Sequence, residues 1–267
     1  MVSKRLARLE QRLRARLLHR TTRRLALTPA GSKFHVDVLA ILAAIEMAEI
    51  SVSGLPGEIA GPVHISAPTS FGRLHLAPHL KPFLVANPGL DLRINLSDHF
   101  VDLFAEGVDL AIRIAPSIDH SFGAHRLATS RRILCAAPSY LVERGTPSRI
   151  DDLRPHRLLA ADGQLPWRLN GPSGPTSVEG RSHIRTNSSE VVRELTLAGV
   201  GVSLRSLWDV DHDIAEGRLA RVLPEYEGSL DVGIYAVHPS KMLVPRAVSE
   251  LIAYLSRLYA APTPWES

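Results

Sequence analysis

Leu17-Leu18-His19-Arg20-Thr21-Thr22-Arg23-Arg24-Leu25-Ala26-Leu27-Thr28-Pro29-Ala30-Gly31 is the stretch whose reading decides the fold at this end of the chain. Two short runs, Arg16-Leu17-Leu18-His19-Arg20 and Arg23-Arg24-Leu25-Ala26-Leu27, flank Thr21-Thr22. The β-branched threonines and the brevity of the runs favour a hairpin over further helix. Thr28 is suited to cap a helix opening at Pro29, where a missing N–H is harmless. Upstream, Val2, Leu6, Leu9 and Leu13 form one apolar stripe at helical spacing, with Lys4, Arg5, Arg8 and Arg12 off it. A basic amphipathic helix followed by a basic hairpin predicts a winged motif.

Charge separates this arm from the rest. Met1 to Arg24 carries nine basic residues against Glu10 alone, a balance of +8 in a chain of formal net charge +4, so the remainder sums to −4. A basic arm on a mildly acidic body fits a module that touches a polyanion, nucleic acid first. A solvated helix end or a membrane-surface arm would carry the same charge. The 267 residues, 45% hydrophobic and 22% charged, suit a globular protein and exclude a disordered or fibrous one. One cysteine, Cys135, excludes an internal disulfide framework and any multi-cysteine metal site. No stretch approaches the ~18 consecutive apolar residues of a membrane span, and Met1-Val2-Ser3-Lys4-Arg5 leads into arginines rather than an apolar signal core. A cytoplasmic protein with no membrane partner is expected.

The run Val2-Ser3-Lys4-Arg5-Leu6-Ala7-Arg8-Leu9-Glu10, followed by the fifteen residues from Leu17 to Gly31, resembles the LysR-type transcriptional regulators from recognition helix through wing. The likeness continues in Ser66-Ala67-Pro68-Thr69-Ser70-Phe71-Gly72-Arg73, in Phe100-Val101-Asp102-Leu103 with Gly107-Val108-Asp109-Leu110-Ala111-Ile112-Arg113, and in Leu197-Ala198-Gly199-Val200-Gly201-Val202. It runs from Val2 to about Leu258. The resemblance implies an α/β chain: a winged helix-turn-helix, a dimerising linker helix and a two-lobed periplasmic-binding-protein-like effector domain. Family members carry two helices ahead of the recognition helix, and this chain opens inside it. A truncated N-terminal winged helix-turn-helix lacking those two helices is therefore expected at residues 1–27. On double-stranded DNA the resemblance places Ser3 and Lys4 near base edges and Arg20, Thr21, Thr22, Arg23 and Arg24 on phosphates.

Residues 28–57 read as a linker helix and hinge. Phe34, Val38, Ile41, Ile45, Ala48 and Val52 alternate four- and three-residue spacings to about Ser53, where Gly54-Leu55-Pro56-Gly57 stops the helix. About two and a half heptads fit either a dimer seam or burial against the large domain. The resemblance favours a homodimer or homotetramer with Phe34, Val38, Ile41 and Ile45 on the seam.

From residue 58 to 267, short apolar strands alternate with helical segments. Strands are expected at residues 63–67, 90–96, 109–114, 132–136, 201–204 and 232–237, with helices near 71–86, 100–106, 189–198 and 206–215. Such alternation predicts βαβ units in mostly parallel sheet. By resemblance, lobe I covers about 58–132 and 237–267 and lobe II about 133–236, with crossovers near Ile133 and Ala236.

Ligands of open α/β sheets bind beyond the carboxyl ends of strands, where helices present free N–H groups. Thr69-Ser70 and Asn187-Ser188-Ser189 occupy such positions, and Ser97 follows the second strand. These residues fit effector contact and ordinary capping or turn roles alike. Arg113, inside an apolar run, either faces the cleft or pairs with a carboxylate. Thr69, Ser70, Ser97, Arg113 and Asn187 are the expected contacts for a small polar or acidic effector.

Catalytic patterns are missing: no G-x-S-x-G elbow, no P-loop and no G-x-G-x-x-G occur. Cys135 reads as a buried small hydrophobe. His75 and His79 lack the glutamate of a zinc protease helix, and Asp209-Val210-Asp211-His212-Asp213 reads as a solvated helix face rather than a cation site. No enzyme, metal or cofactor is called for. The expected function is ligand-responsive transcriptional regulation. A recognition helix enters the major groove braced by the helix before it. The alternative is therefore a small-molecule binding protein or regulator fragment without independent DNA binding.

Overall fold

The computed structural model describes residues 2–20, 25–35, 37–38, 41, 45, 59–99, 102–228, 231–239 and 244–265. The chain forms two compact units, Met1–Glu58 with Met242–Pro245, and Ile59–Lys241 with Arg246–Ser267.

In the smaller unit, helix α1 spans Val2–Leu13. Leu6 and Leu9 are half-buried while Arg5, Arg8 and Arg12 are exposed, as the apolar stripe requires. Strands β1, Leu18–Arg20, and β2, Leu25–Leu27, pair antiparallel with Leu18 opposite Leu27. Glu10 fastens this hairpin to the helix: its Oε1 accepts the N–H of Leu17 at 2.8 Å and of Leu18 at 3.2 Å. Thr28 Oγ1 donates to the Arg16 carbonyl at 2.6 Å and accepts the Gly31 N–H at 2.9 Å, an N-cap for the next helix, α2. Residues 29–35, 37–38, 41 and 45 of α2 are helical. Its expected continuation to about Ser53 lies outside the described residues. A Cβ on Gly31 would stand 2.0 Å from the Leu17 carbonyl oxygen, so only glycine lets α2 start against the hairpin.

The larger unit holds two sheets. The first contains β3 (Ala60–Ala67), β4 (Gly89–Leu96), β5 (Leu110–Ala115), β6 (Gly123–Thr129) and the last strand, β14 (Gly233–His238), in the order β4-β3-β5-β14-β6. The second contains β7 (Arg132–Ala136), β8 (Leu158–Leu159), β9 (Trp167–Gly171), β10 (Gly174–Val178), β11 (Val202–Ser206), β12 (Ala220–Arg221) and β13 (Glu227–Gly228). Its order is β10-β9-β13-β7-β11-β8, with β12 also on β7. The chain thus passes from first lobe to second between Thr129 and Arg132. It returns between Gly228 and Gly233, a few residues ahead of the passage expected near Ala236.

Parallel pairing is confined to β3 with β4 and β5, and to β8 with β11. The sheets are therefore mixed rather than mostly parallel. The returning strand β14 enters between β5 and β6 antiparallel to both, and a two-residue turn folds β9 back on β10. The helix expected at 100–106 is replaced over 103–107 by turns. There Asp102 Oδ1 takes the N–H groups of Phe104 and Ala105, and Gly107, at φ +62°, ends the segment.

Helices α3 (Thr69–Phe71, continued by a π turn over Gly72–Leu76 and a 3-10 turn over Ala77–His79), α4 (Lys81–Ala86) and α8 (Arg246–Leu258) belong to the first lobe's segments. Helices α5 (Pro138–Arg144), α6 (Ser189–Leu197) and α7 (Leu207–Ala215) belong to the second. Ile65, Phe71, Leu110, Ile112, Leu251 and Leu255 make the first core, fully buried. Trp167, Leu169, Leu134, Leu204 and Tyr140 belong to the second. Truncating one such large side chain costs on the order of 3–5 kcal/mol, enough to threaten a fold of ordinary stability.

Candidate functional site

A cavity of about 260 Å³ opens between the two lobes. The first lobe supplies Pro68 and Ser70 from the β3–α3 connection, Asp98 from the end of β4 and Ile114 of β5. The second supplies Arg132 of β7, Leu204, Arg205 and Ser206 of β11, Trp208 of α7, Ser189 of α6 and Gln164. The walls are thus strand ends and helix starts, where fixed backbone geometry can present polar groups without a mobile loop.

Two arginines in this wall are in different electrostatic states. Arg205 is buried, and its guanidinium is paired with Asp209 four residues on, with Nε to Oδ2 at 2.9 Å and a second bond from Nη2 to the same oxygen. Its remaining donor reaches Ser189 Oγ at 3.0 Å. Arg132 has no ion pair among the described residues and donates only to the Leu204 carbonyl, at 3.3 Å. Burial, and then the neighbouring Arg205 charge, push its pKa down to about 10. A desolvated cation beside another cation is a binding element for an anion. Close by, Ser70 Oγ is 2% exposed and has no hydrogen-bond partner among the described residues. Such a group costs about 1–3 kcal/mol until something bonds it.

At the mouth, one carboxylate touches both lobes. Asp98 Oδ1 accepts the N–H of Thr69, at the start of α3, at 2.9 Å, and its Oδ2 accepts the N–H of Ser189, at the start of α6, at 3.1 Å. On the same edge Arg73 Nε meets Glu190 Oε1 at 2.7 Å, and Asn187 Nδ2 lies 3.1 Å from His99 Nε2.

Around Trp208 of the wall the contact between the lobes is aromatic. Trp208 meets Phe71 edge-on at 5.2 Å, and His75 packs 4.9 Å from Trp265. His75 Nε2–H donates to the Trp208 carbonyl at 2.7 Å. Burial lowers the His75 pKa, which disfavours the charged ring. Trp208 Nε1–H donates to Ser130 Oγ in the outgoing passage at 3.1 Å, and the Ser130 N–H bonds Val232 of the returning one at 2.8 Å.

Of the five residues expected to contact an effector, Ser70 lines the cavity and Thr69 is engaged through its N–H. Asn187 lies on the rim beside His99, and Ser97 Oγ accepts the His99 N–H at 3.2 Å. Arg113 is buried in β5 with Glu106 as the acid acting on it, and it is not among the lining residues. Strand alternation explains this, because its neighbour Ile114 faces the cavity. The sequence reading passed over Arg132, Asp98, Arg205 and Gln164. Arg132 and Arg205 carried the signal that singled out Arg113, a cation inside an apolar strand, and Asp98 directly follows Ser97.

Cys135 is fully buried 3.8 Å from Ser203 Oγ, and burial pushes its thiol up to about 12. The Asp209–Asp213 segment is not a solvated face. Asp209 and Asp213 are buried against Arg205 and Arg193, with Arg218 also on Asp213, while His212 pairs outward with Glu216 at 3.0 Å. The i, i+4 acids turn inward because three arginines wait there.

In the arm, Ser3 and Lys4 lie in α1 and Arg20 ends β1; Thr21, Thr22, Arg23 and Arg24 fall outside the described residues. Along α2, Phe34 and Val38 are half-buried, and Ile41 and Ile45, one turn apart, are 58% and 50% exposed.

Comparison with known proteins agrees with this architecture. The profile of the LysR substrate binding domain matches residues 56–260, and that of the bacterial regulatory helix-turn-helix protein, lysR family, matches residues 1–32. The chain belongs to the LysR-type transcriptional regulators. This LysR-type regulator is 36% identical to the HTH-type transcriptional regulator DmlR of Escherichia coli K12, over 98% of the chain and 86% of that protein. Among solved structures it resembles CrgA, a LysR-type regulator of Neisseria meningitidis, at 30% identity and TM-score 0.67, covering 96% of this chain and 88% of that one. It also resembles full-length AphB, the Vibrio cholerae virulence activator, at 25% identity and TM-score 0.69, covering 97% and 89%. LysR-type regulators bind DNA and small effectors and form oligomers, and the relatives are named as regulators rather than enzymes. Among the described residues no helix is long and apolar enough to cross a membrane.

Proposed function

We propose that the inter-lobe cavity binds a small carboxylate-bearing effector whose acid group lies between Arg132 and Ser70, and that this binding shifts the geometry of a dimer that holds DNA through the basic arm. The observation that carries this reading is the pairing, in one cavity, of an arginine with no carboxylate partner and a buried serine hydroxyl with no hydrogen-bond partner among the described residues. An acid between them satisfies both and removes the desolvation penalty of the cation. Asn187, Ser97 and Thr69 then shape the rim, and Arg113 supports the sheet behind Ile114. In the DNA-bound dimer, Ser3 and Lys4 read base edges and Arg20, Thr21, Thr22, Arg23 and Arg24 hold phosphates, with Phe34, Val38, Ile41 and Ile45 on the seam.

The ligand acts only through differential affinity for two arrangements, so a hinge or dimer equilibrium has to move with it, with coupling of roughly 1–3 kcal/mol. The test is thermal stabilisation against a panel of small mono- and dicarboxylates, repeated on Ser70→Ala and Arg132→Met. The stabilising compound should lose its effect in both variants and emerge from the assay chemically unchanged. Equal stabilisation of wild type and both variants would place the ligand elsewhere, and turnover of the compound would make the protein an enzyme.

A further inference from the structure

We infer that Asp98 is a tethered carboxylate occupying, from within the chain, a subsite that accepts the carboxylate of a free ligand, and that it thereby latches the cleft mouth. The inference rests on the effector reading above and assigns a regulatory element of that same site.

Its basis is the division of labour between the two oxygens. Oδ1 is held by the N–H of Thr69 and Oδ2 by that of Ser189, so a single acid group bonds the first residue of α3 in the first lobe and of α6 in the second. Two converging N–H groups at helix starts form a neutral, anion-favouring pair that any carboxylate can bridge. An independent observation marks the place as a ligand position: Ser70 Oγ, next to Thr69 in sequence, is 2% exposed, lines the cavity and has no hydrogen-bond partner among the described residues. Asp98 itself is exposed, so the pair of N–H groups is reachable from solvent once its side chain is gone. The other ties on this edge, Arg73 to Glu190 and Asn187 to His99, run between side chains. The Asp98 bonds, from carboxylate oxygens to backbone N–H groups of both lobes, can be replaced atom for atom by a free acid. A ligand acid seeking these N–H groups must displace Asp98, whereas one directed to Arg132 leaves the latch shut.

The experiment is carboxylate rescue. Full-length wild type, Asp98→Ala and Asp98→Asn are unfolded thermally across a sodium acetate titration, with sodium chloride holding ionic strength constant. Asp98→Ala should melt lower than wild type in chloride and regain stability saturably in acetate, by about 3–6 °C at a tenfold excess over half-saturation. Wild type, whose subsite is filled, and Asp98→Asn, whose amide fills the same space, should not respond. Asp98→Gly should repeat the Ala result. Equal acetate responses in wild type and Asp98→Ala, or no acetate-specific response in either Ala or Gly variant, overturn the inference. The outcome separates from that of the effector reading. Acetate rescue without any metabolite bound defeats the effector reading alone. Metabolite binding that is lost in Arg132→Met, with no acetate rescue of Asp98→Ala, defeats the latch alone.

Discussion

Replacing Arg132 by methionine should stabilise the protein while removing its response to small acids. Among the described residues the guanidinium meets no carboxylate, and burial followed by Arg205 repulsion lowers its pKa to about 10, roughly two units or more below its ordinary value. At about 1.4 kcal/mol per tenfold change, that shift represents a cost on the order of 3 kcal/mol to keep the folded-state cation. The direction is fixed by linkage: the unfolded chain holds this proton more tightly. The penalty is therefore complete at all pH values well below 10 and is relieved only as pH climbs above it. Methionine keeps most of the aliphatic stem and removes the charge; what it forfeits is one long bond to the Leu204 carbonyl, worth about 0.5–1.5 kcal/mol. The net expectation is a gain of about 1.5–2.5 kcal/mol, or roughly 3–10 °C in melting temperature for a unit of this size. Urea unfolding at neutral pH in chloride, and again with saturating succinate, measures both halves. Succinate should narrow the difference by stabilising wild type alone. A variant less stable than wild type by more than about 1 kcal/mol in chloride would show that Arg132 is structural and would refute the argument.

Burial holds the His75 pKa below 6.5, so its contribution is present above that value and is lost as pH falls through it; melting temperature should decline from pH 7 to 5, less steeply in His75→Phe. Gly31→Ala should cost on the order of 1–3 kcal/mol in the arm, because its Cβ meets the Leu17 carbonyl at 2.0 Å; differential scanning calorimetry of the full chain should show a lowered or lost transition. Ile41→Glu should turn the oligomer into monomers in sedimentation velocity, and a monomeric wild type would remove the seam altogether. Arg23→Ala and Arg24→Ala should each weaken DNA binding across sequences alike and reduce the salt slope by about one; unchanged slopes would free the wing of any phosphate role.

Three of the strands legible in the sequence are buried on both faces. Val63–Ala67, Leu110–Ile114 and Ile133–Ala136 are near-continuous apolar runs, and each lies within a residue or two of where periodicity put it, except that β3 begins earlier, at Ala60. The passage Gly123–Thr129 gave no such signal. Its burial alternates weakly around His125, Arg126 and Thr129, because it is an edge strand with one neighbour, β14. Helix α8 was overlooked although Val248, Leu251, Ile252 and Leu255 have the spacing of an amphipathic helix, which marks a gap in the reading rather than in the signal. For the cleft, loop position identified Thr69, Ser70 and Asn187, since helix starts are local features. The state of Arg132 was beyond reach. Whether a strand arginine has a counter-ion depends on what sits across the sheet, and here Asp209 serves Arg205, one strand over, and leaves Arg132 without one.

The two sides of the cavity differ in what it costs to part them. Phe71, His75, Trp208, Tyr259 and Trp265 pack ring against ring, the His75 imidazole bonds across that contact to the Trp208 carbonyl, and the Trp208 indole bonds Ser130 in the passage between the lobes. Separating those groups exposes large apolar surface and strands buried donors, so every term opposes it. At the mouth, Asp98, Arg73, Glu190, Asn187 and His99 bond one another with water at hand, and each broken contact is replaced by hydration at a net cost of about 1 kcal/mol or less. The inexpensive motion is therefore rotation of the second lobe about the aromatic side. Ser130 and Val232, where the two passages bond each other, lie at the pivot. Arg132 begins the strand immediately beyond that pivot, so the acid proposed there would contact the second lobe next to the point about which it turns.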